Sequence, residues 1–236
     1  MPFAVRATRR LVEASLQILF PADCYLCARP LPWRQKGSIC FPCWESLPWS
    51  PGLLIRPGPL RGVLWAADYD GPIRRLVHGF KFEGMHYLGR HLGEAVADRL
   101  APLLERLAPD LVVPVPLHWW RRYRRGYNQA LLLAAPLARR ADLPLERRVL
   151  SRPRAGRRQL GLSRRDRLRS LQGCYGGPGP ARGTGRSNAL RGKTVLLVDD
   201  VMTTGATLEA CARVLLRAGA LSVVACVLAR TPRLKE

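Results

Sequence analysis

The segment Val195 to Leu208, VLLVDDVMTTGATL, constrains the fold more than any other stretch of the chain. Val195 to Val198 read as a buried strand that delivers Asp199 and Asp200 to its carboxyl end, the edge at which open α/β sheets bind ligands. Thr203, Thr204, Gly205, Ala206 and Thr207 follow, three hydroxyls on a small-residue backbone where a helix is expected from about Gly205 to Ala218. Backbone N–H groups and the positive end of the helix dipole make such a turn a cradle for a monophosphate, and a glycine permits close approach. Carboxylates repel phosphate, so Asp199 and Asp200 address something else; two neighbouring hydroxyls of a ribose ring fit that need. LSVVACVLA, Leu221 to Ala229, then closes a β-α-β unit.

Two plainer readings stand beside this one. VLLVDD also resembles the first strand of response-regulator receivers, where paired acids hold magnesium, and Thr and Asp are common helix caps. Upstream, the pattern alternates strands with helices. Gly62 to Tyr69 reads as a strand, and Pro72 opens a helix with Ile73, Leu76 and Val77 on its apolar side. A longer helix is expected over Tyr87 to Leu107, a buried strand over Leu111 to Pro116, and a helix over Gly126 to Arg140 interrupted at Pro136. Ser151 to Gly161 reads as a basic loop, and the Gly/Pro-rich Gly173 to Ser187 as the least ordered part. Such alternation predicts an α/β, Rossmann-like parallel sheet with helices on both faces.

Four of the seven cysteines form a second signature. Cys24-x2-Cys27, twelve residues, then Cys40-x2-Cys43 is the spacing of a four-thiolate zinc site. Four ligands close the coordination shell, so the zinc is expected to be structural in a module too small for a large core, with Trp33, Trp44 and Trp49 supplying packing. Redox dithiols or disulfides are the alternative. Cys174, Cys211 and Cys226 lack ligand spacing and read as buried small hydrophobes. Pro51 to Pro59 reads as a linker, which gives an N-terminal helix and zinc-ribbon module over residues 1–59 and a second domain over 60–236.

The formal charge of +22 makes an anionic partner plausible. Between Arg121 and Arg169 there are 16 arginines and three acids, so this region is either a working anion surface or a solvated basic face. No run of 18 apolar residues is present, so no transmembrane helix is expected. Arg6, Arg9 and Arg10 precede LVEASLQILF, but Glu13 and Gln17 interrupt that run; an amphipathic helix using Leu11, Leu16, Leu19 and Phe20 is expected, in a cytoplasmic protein.

VDDVMTTGAT resembles the 5-phosphoribosyl 1-pyrophosphate (PRPP) signature of type I phosphoribosyltransferases, and the chain as a whole resembles the ComF family. The resemblance spans the zinc-ribbon start, YDGPIRRLVHGFKFEG, VVPVPLHWWRRYRRGYNQA, the basic Gln-Leu-Gly-Leu segment and the PRPP loop. It implies that Asp199 and Asp200 hold the ribose hydroxyls, that Thr203, Thr204, Gly205, Ala206 and Thr207 hold the 5-phosphate, and that magnesium accompanies the pyrophosphate. By family position Lys81 and Arg125 are the best candidates to neutralise the leaving group, with Arg121, Arg122 and Arg124 weaker ones. In RGYNQ, only a capping role for Asn128 is apparent. Arg152, Arg154, Gln159, Leu162 and Arg167 match the family's basic loop, with Gln159 a ligand candidate; Gly156 and Ser170 depart from it, which bears on turnover more than on binding. Among the histidines only His118 sits at a suspected ligand turn. The resemblance implies phosphoribosyl transfer to an unidentified acceptor with pyrophosphate release, linked to DNA uptake; the alternative is a non-catalytic PRPP sensor that grips single-stranded DNA and works with DNA-uptake proteins. Trp119, Trp120, Tyr123 and Tyr127, interleaved with arginines, suit stacked bases and phosphates, or else pack the core.

Overall fold

The computed structural model describes residues 23–31, 38–154, 171, 173–177 and 189–232. The expected N-terminal helix, Trp33, and Gly156, Gln159, Leu162, Arg167 and Ser170 of the basic loop lie outside them. The chain divides into two compact units, Met1–Pro48 and Trp49–Glu236.

In the first unit, the Cys24 amide donates to the Arg29 carbonyl (2.8 Å) and the Ala28 amide to the Cys24 carbonyl (2.8 Å), a tight turn around the first cysteine pair. The second pair brackets the start of a short helix, α1 (Phe41–Glu45), opened by Pro42. Cys24, Ile39 and Leu47 are this unit's buried apolar residues among those described.

In the second unit, five strands form one sheet in the order β1-β2-β5-β4-β3: β1 (Trp49–Ile55), β2 (Gly62–Asp68), β3 (Leu111–Pro114), β4 (Thr194–Met202) and β5 (Ser222–Arg230). The pairs β2·β5, β5·β4 and β4·β3 are parallel, as the β-α-β alternation requires. Edge strand β1 is antiparallel to β2, and here the linker expected over Pro51–Pro59 is corrected. Pro51 and Gly52 are tolerated because the register shifts between Trp49 and Gly52 at an edge. Gly52 also has to be a glycine, since a Cβ there would lie 2.2 Å from the Trp65 indole. Trp49 therefore belongs to this sheet, with Arg99 over its ring at 4.1 Å, and is removed from the packing expected for the cysteine module.

Helices follow the strands. α2 (Gly71–Phe82) is capped by Asp70, whose Oδ1 accepts from the Gly71 amide at 2.8 Å, and buries Ile73, Leu76, Val77 and Phe80. α3 (Leu88–Leu107) runs through Pro102. The helix expected over Gly126–Arg140 is found as α5 (Gln129–Arg140), starting three residues later at the Asn128 cap; a separate short helix that was not expected, α4 (Trp119–Arg125), precedes it and ends at Gly126. α5 continues through Pro136, which gives up one backbone donor but buries its ring. α6 (Ala206–Arg217) joins β4 to β5.

Alternation along the strands divides the core into two layers. Val63, Trp65, Val113, Val195, Leu197, Val223, Ala225 and Val227 share a cluster with Leu208, Cys211, Ala212 and Leu215 of α6. The intervening Leu64, Leu196, Val198, Val224, Cys226 and Leu228 are equally buried on the opposite face, where α3 and α5 pack on the sheet and on each other. Each such Val or Leu contributes on the order of 1.5–3 kcal/mol by leaving water. The rigid sheet so made holds the carboxyl ends of β2, β4 and β3 on one edge, with β5 between β2 and β4.

Candidate functional site

Those three strand ends open on a cavity of about 340 Å³. Its floor is Asp199, Asp200, Val201, Thr203 and Thr207; its wall carries Lys81, Arg121, Arg125, Gln129 and Arg152.

The floor comes from one continuous stretch. β4, expected to end near Val198, keeps pairing with β5 through Asp199 (opposite Val227) to Met202, so both acids sit on rigid strand. The Asp200 amide donates to Asp199 Oδ1 at 2.9 Å. Burial, together with the charge of Asp200, pushes the Asp199 carboxyl up to about 7, while Lys81 pulls the other way. Lys81 Nζ lies 2.7 Å from Asp200 Oδ1. After Met202 the chain turns into α6 with Gly205 at its cap, at φ +79°, a conformation that strains any L side chain. Thr203 and Thr207 line the cavity; Thr204, Gly205 and Ala206 form the turn and helix start but are not among its lining residues.

A buried acid in the first turn of α6, Glu209, would repel an anion at this helix start. Arg56, just after β1, forms an ion pair with it. No local sequence signal marks Arg56, whose partner lies 153 positions away.

The wall is gathered from distant segments. Lys81 is in the last turn of α2, and Arg121 and Arg125 are spaced i,i+4 on one side of α4; Arg122 and Arg124 are not among the lining residues. Arg152 enters beside Ser151, whose backbone exchanges two hydrogen bonds with Gly176 (2.9 and 3.0 Å), and its guanidinium lies 5.0 Å from the Tyr175 ring centroid. Burial lowers the pKa of both Arg121 and Arg125; Arg152 adds to it at Arg121, whereas at Arg125 the charge of Asp200 opposes it and Arg121 adds a smaller push downward. Three guanidinium groups thus crowd one side of the cavity.

RGYNQ acquires a division of labour. Arg125 lines the cavity and Gly126 ends α4. Tyr127 donates its hydroxyl to the Phe80 carbonyl, bracing the turn that carries Lys81. Asn128 donates through Nδ2 to the Val115 carbonyl (3.1 Å) and accepts from the Ala130 amide (3.2 Å), which ties α5 to the end of β3. Gln129 faces the cavity. His118 caps α4, its Nδ1 accepting from the Trp120 amide at 3.3 Å, and is not among the lining residues.

In the first unit, the ligand sulfurs of Cys24, Cys27, Cys40 and Cys43 all lie within 4.8 Å of one another, and Cys27 Sγ and Cys40 Sγ are 3.7 Å apart. Tetrahedral thiolates about 2.3 Å from a zinc ion stand about 3.8 Å from each other, so this set fits one such ion. Burial opposes the Cys24 thiolate, but amides including that of Cys40, 3.3 Å from its sulfur, bring its pKa down to about 6. No helix among the described residues is long and apolar enough to cross a membrane.

Residues 128–236 match the phosphoribosyl transferase domain family. The chain is similar to the DNA utilization protein YhgH of Salmonella typhi, at 34% identity over 218 residues, covering 88% of this chain and 90% of that protein. It is also similar to competence protein F of Haemophilus influenzae, at 34% over 154 residues (64% of this chain, 65% of that one). Competence protein ComFC of Bacillus subtilis is 30% identical over 201 residues, covering 83% of this chain and 72% of that one. The four-cysteine start, the parallel sheet and a relative matched over nine-tenths of its length agree: the chain belongs to the ComF family of phosphoribosyltransferase-like proteins.

Proposed function

We propose that the cavity binds PRPP and that the chain transfers its phosphoribosyl group to an acceptor base, releasing pyrophosphate, in the uptake or use of external DNA. The observation that carries this reading is the polarity of the cavity, with an acidic pair beside a helix-start turn on the floor and cations on the wall. The Thr203–Thr207 turn takes the 5-phosphate, and Asp199 and Asp200 accept from the ribose hydroxyls. As the C1–O bond to pyrophosphate breaks and the acceptor nitrogen bonds to C1, positive charge grows on the ribose near the acids. Negative charge grows on the leaving group near Lys81, Arg121, Arg125 and Arg152. Magnesium would supply charge neutralisation on the diphosphate; Asp199 and Asp200 are the only carboxylates among the described lining residues, and Asp200 already holds Lys81, so the metal would draw its hard oxygen ligands mainly from the diphosphate. Zinc fills the four-cysteine site and holds the first unit together, in a protein of the cytoplasm. The names of the relatives, in DNA utilization and competence, support the DNA setting.

The test is pyrophosphate release from PRPP and magnesium across a panel of nucleobases. Base-dependent release supports transfer, and saturable PRPP binding with no release supports a sensor. Absence of PRPP binding at millimolar concentration overturns the site assignment.

A second reading, single-stranded DNA binding, is favoured by α4. Trp119, Trp120 and Tyr123 are 65%, 50% and 79% exposed, so they are not core residues, and Trp120 and Tyr123 stack on each other at 6.0 Å. With Arg122 and Arg124 they offer ring faces and phosphate contacts together. Affinity for an oligothymidylate should fall with added salt and drop about tenfold in Trp119→Ala/Tyr123→Ala; salt-independent affinity would contradict it.

A further inference from the structure

Gln129 is a neutral residue among the cations of the wall, and its orientation is chemically fixed. It is 2% exposed, in the first turn of α5, and lines the cavity. Its Oε1 accepts from Arg125 Nη1 at 3.3 Å. A guanidinium can only donate, so the carboxamide oxygen must be the atom that faces it, and the amide nitrogen is turned the other way. That nitrogen, Nε2, lies close enough to the Tyr127 hydroxyl to favour its phenolate, but makes no hydrogen bond of full geometry among the described residues. A buried amide donor left unmatched costs on the order of 1–3 kcal/mol, so its retention at the cavity points to an acceptor that arrives with the ligand. Asn128 next to it makes the contrast, since both ends of its amide are used within the protein.

The surroundings specify the acceptor. Arg121, Arg125 and Arg152 share this side of the cavity, and Arg152 Nε is a second donor without a partner among the described residues. A ligand atom among three guanidinium groups and an amide N–H accepts from several donors at once and carries negative charge. We propose that Gln129 Nε2 donates to an oxygen of the ligand's diphosphate, with Arg125 holding the carboxamide in the donating orientation. The proposal rests on the PRPP reading above. It adds a residue that discriminates at this point against any ligand group bearing its own N–H.

Calorimetric titration of the full-length, zinc-loaded protein with PRPP, inorganic pyrophosphate and ribose 5-phosphate, each with magnesium, tests it. Gln129→Leu keeps the volume and removes the donor; Gln129→Glu keeps the shape and reverses the donor to an anionic acceptor. Both should weaken PRPP and pyrophosphate about tenfold or more, Glu more than Leu, with ribose 5-phosphate within twofold of wild type. Unchanged PRPP affinity, or a proportional loss of ribose 5-phosphate, overturns the proposal. If the wild type binds pyrophosphate but not PRPP, the PRPP reading falls while the Gln129 comparison is still read on pyrophosphate. If it binds none of the three, both fall.

Discussion

The floor and the wall of the cavity differ in how the chain builds them. The floor comes from one stretch of nine residues, Asp199 to Thr207, on one strand end and one helix start, and their spacing already states their geometry. The wall draws Lys81 from α2, Arg121 and Arg125 from α4, Gln129 from α5 and Arg152 from beyond it. Local sites are legible because backbone periodicity places their members; assembled sites depend on braces that are many residues apart. The Tyr127 hydroxyl on the Phe80 carbonyl and the Asn128 amide on the Val115 carbonyl are such braces.

If the floor is the more highly organised half, its supports should carry the larger effects. Arg56→Met leaves the Glu209 carboxylate buried without its partner, and denaturant unfolding should register a loss of about 3–5 kcal/mol. Double replacement with Glu209→Gln should recover most of it, whereas a loss in Arg56→Met below about 1 kcal/mol would place the organisation elsewhere.

Asp199 gives the next effect, with the opposite sign. Its carboxyl is raised to about 7 in the folded protein, above the ordinary value near 4 of an unfolded chain. The fold therefore holds the proton more tightly, and its stability without ligand falls as pH rises from about 4 through about 7. Asp199→Asn should match wild type at pH 4 and exceed it at pH 8 by up to about 4 kcal/mol. Equal stability at both would mean that the floor stores no such strain.

The wall's brace should matter less. Tyr127→Phe removes one hydroxyl donor and should cost about 1 kcal/mol of stability while weakening PRPP severalfold, because the turn that carries Lys81 is loosened. A larger stability loss than in Arg56→Met would invert the comparison. In the other unit, Cys24→Ser should remove the bound zinc, about one ion per chain in the wild type by elemental analysis, with little effect on PRPP affinity.

The same contrast explains what the sequence revealed. The parallel strands and their helices were readable because continuous apolar runs and capping residues such as Asp70 and Asn128 are local signals. β1 was hidden by Pro51 and Gly52, which mark a linker in most contexts but here sit at a bulge on an edge strand packed against Trp65. The short helix Trp119–Arg125 had no apolar periodicity to announce it, since its residues are arginines and exposed rings. Among site residues, Lys81, Arg125, Asp199 and Asp200 were named from motif position, whereas Arg56 had no signal and Gln129 no role until the Arg125 contact fixed its amide.

The central claim is that floor and wall together hold PRPP, and titration calorimetry of PRPP with magnesium into wild type and Asp199→Asn/Asp200→Asn tests it most directly. The account predicts saturable binding in the wild type and at least a hundredfold weaker binding in the double variant, since two charged acceptors for the ribose hydroxyls are lost. Equal affinity in the two proteins would contradict it.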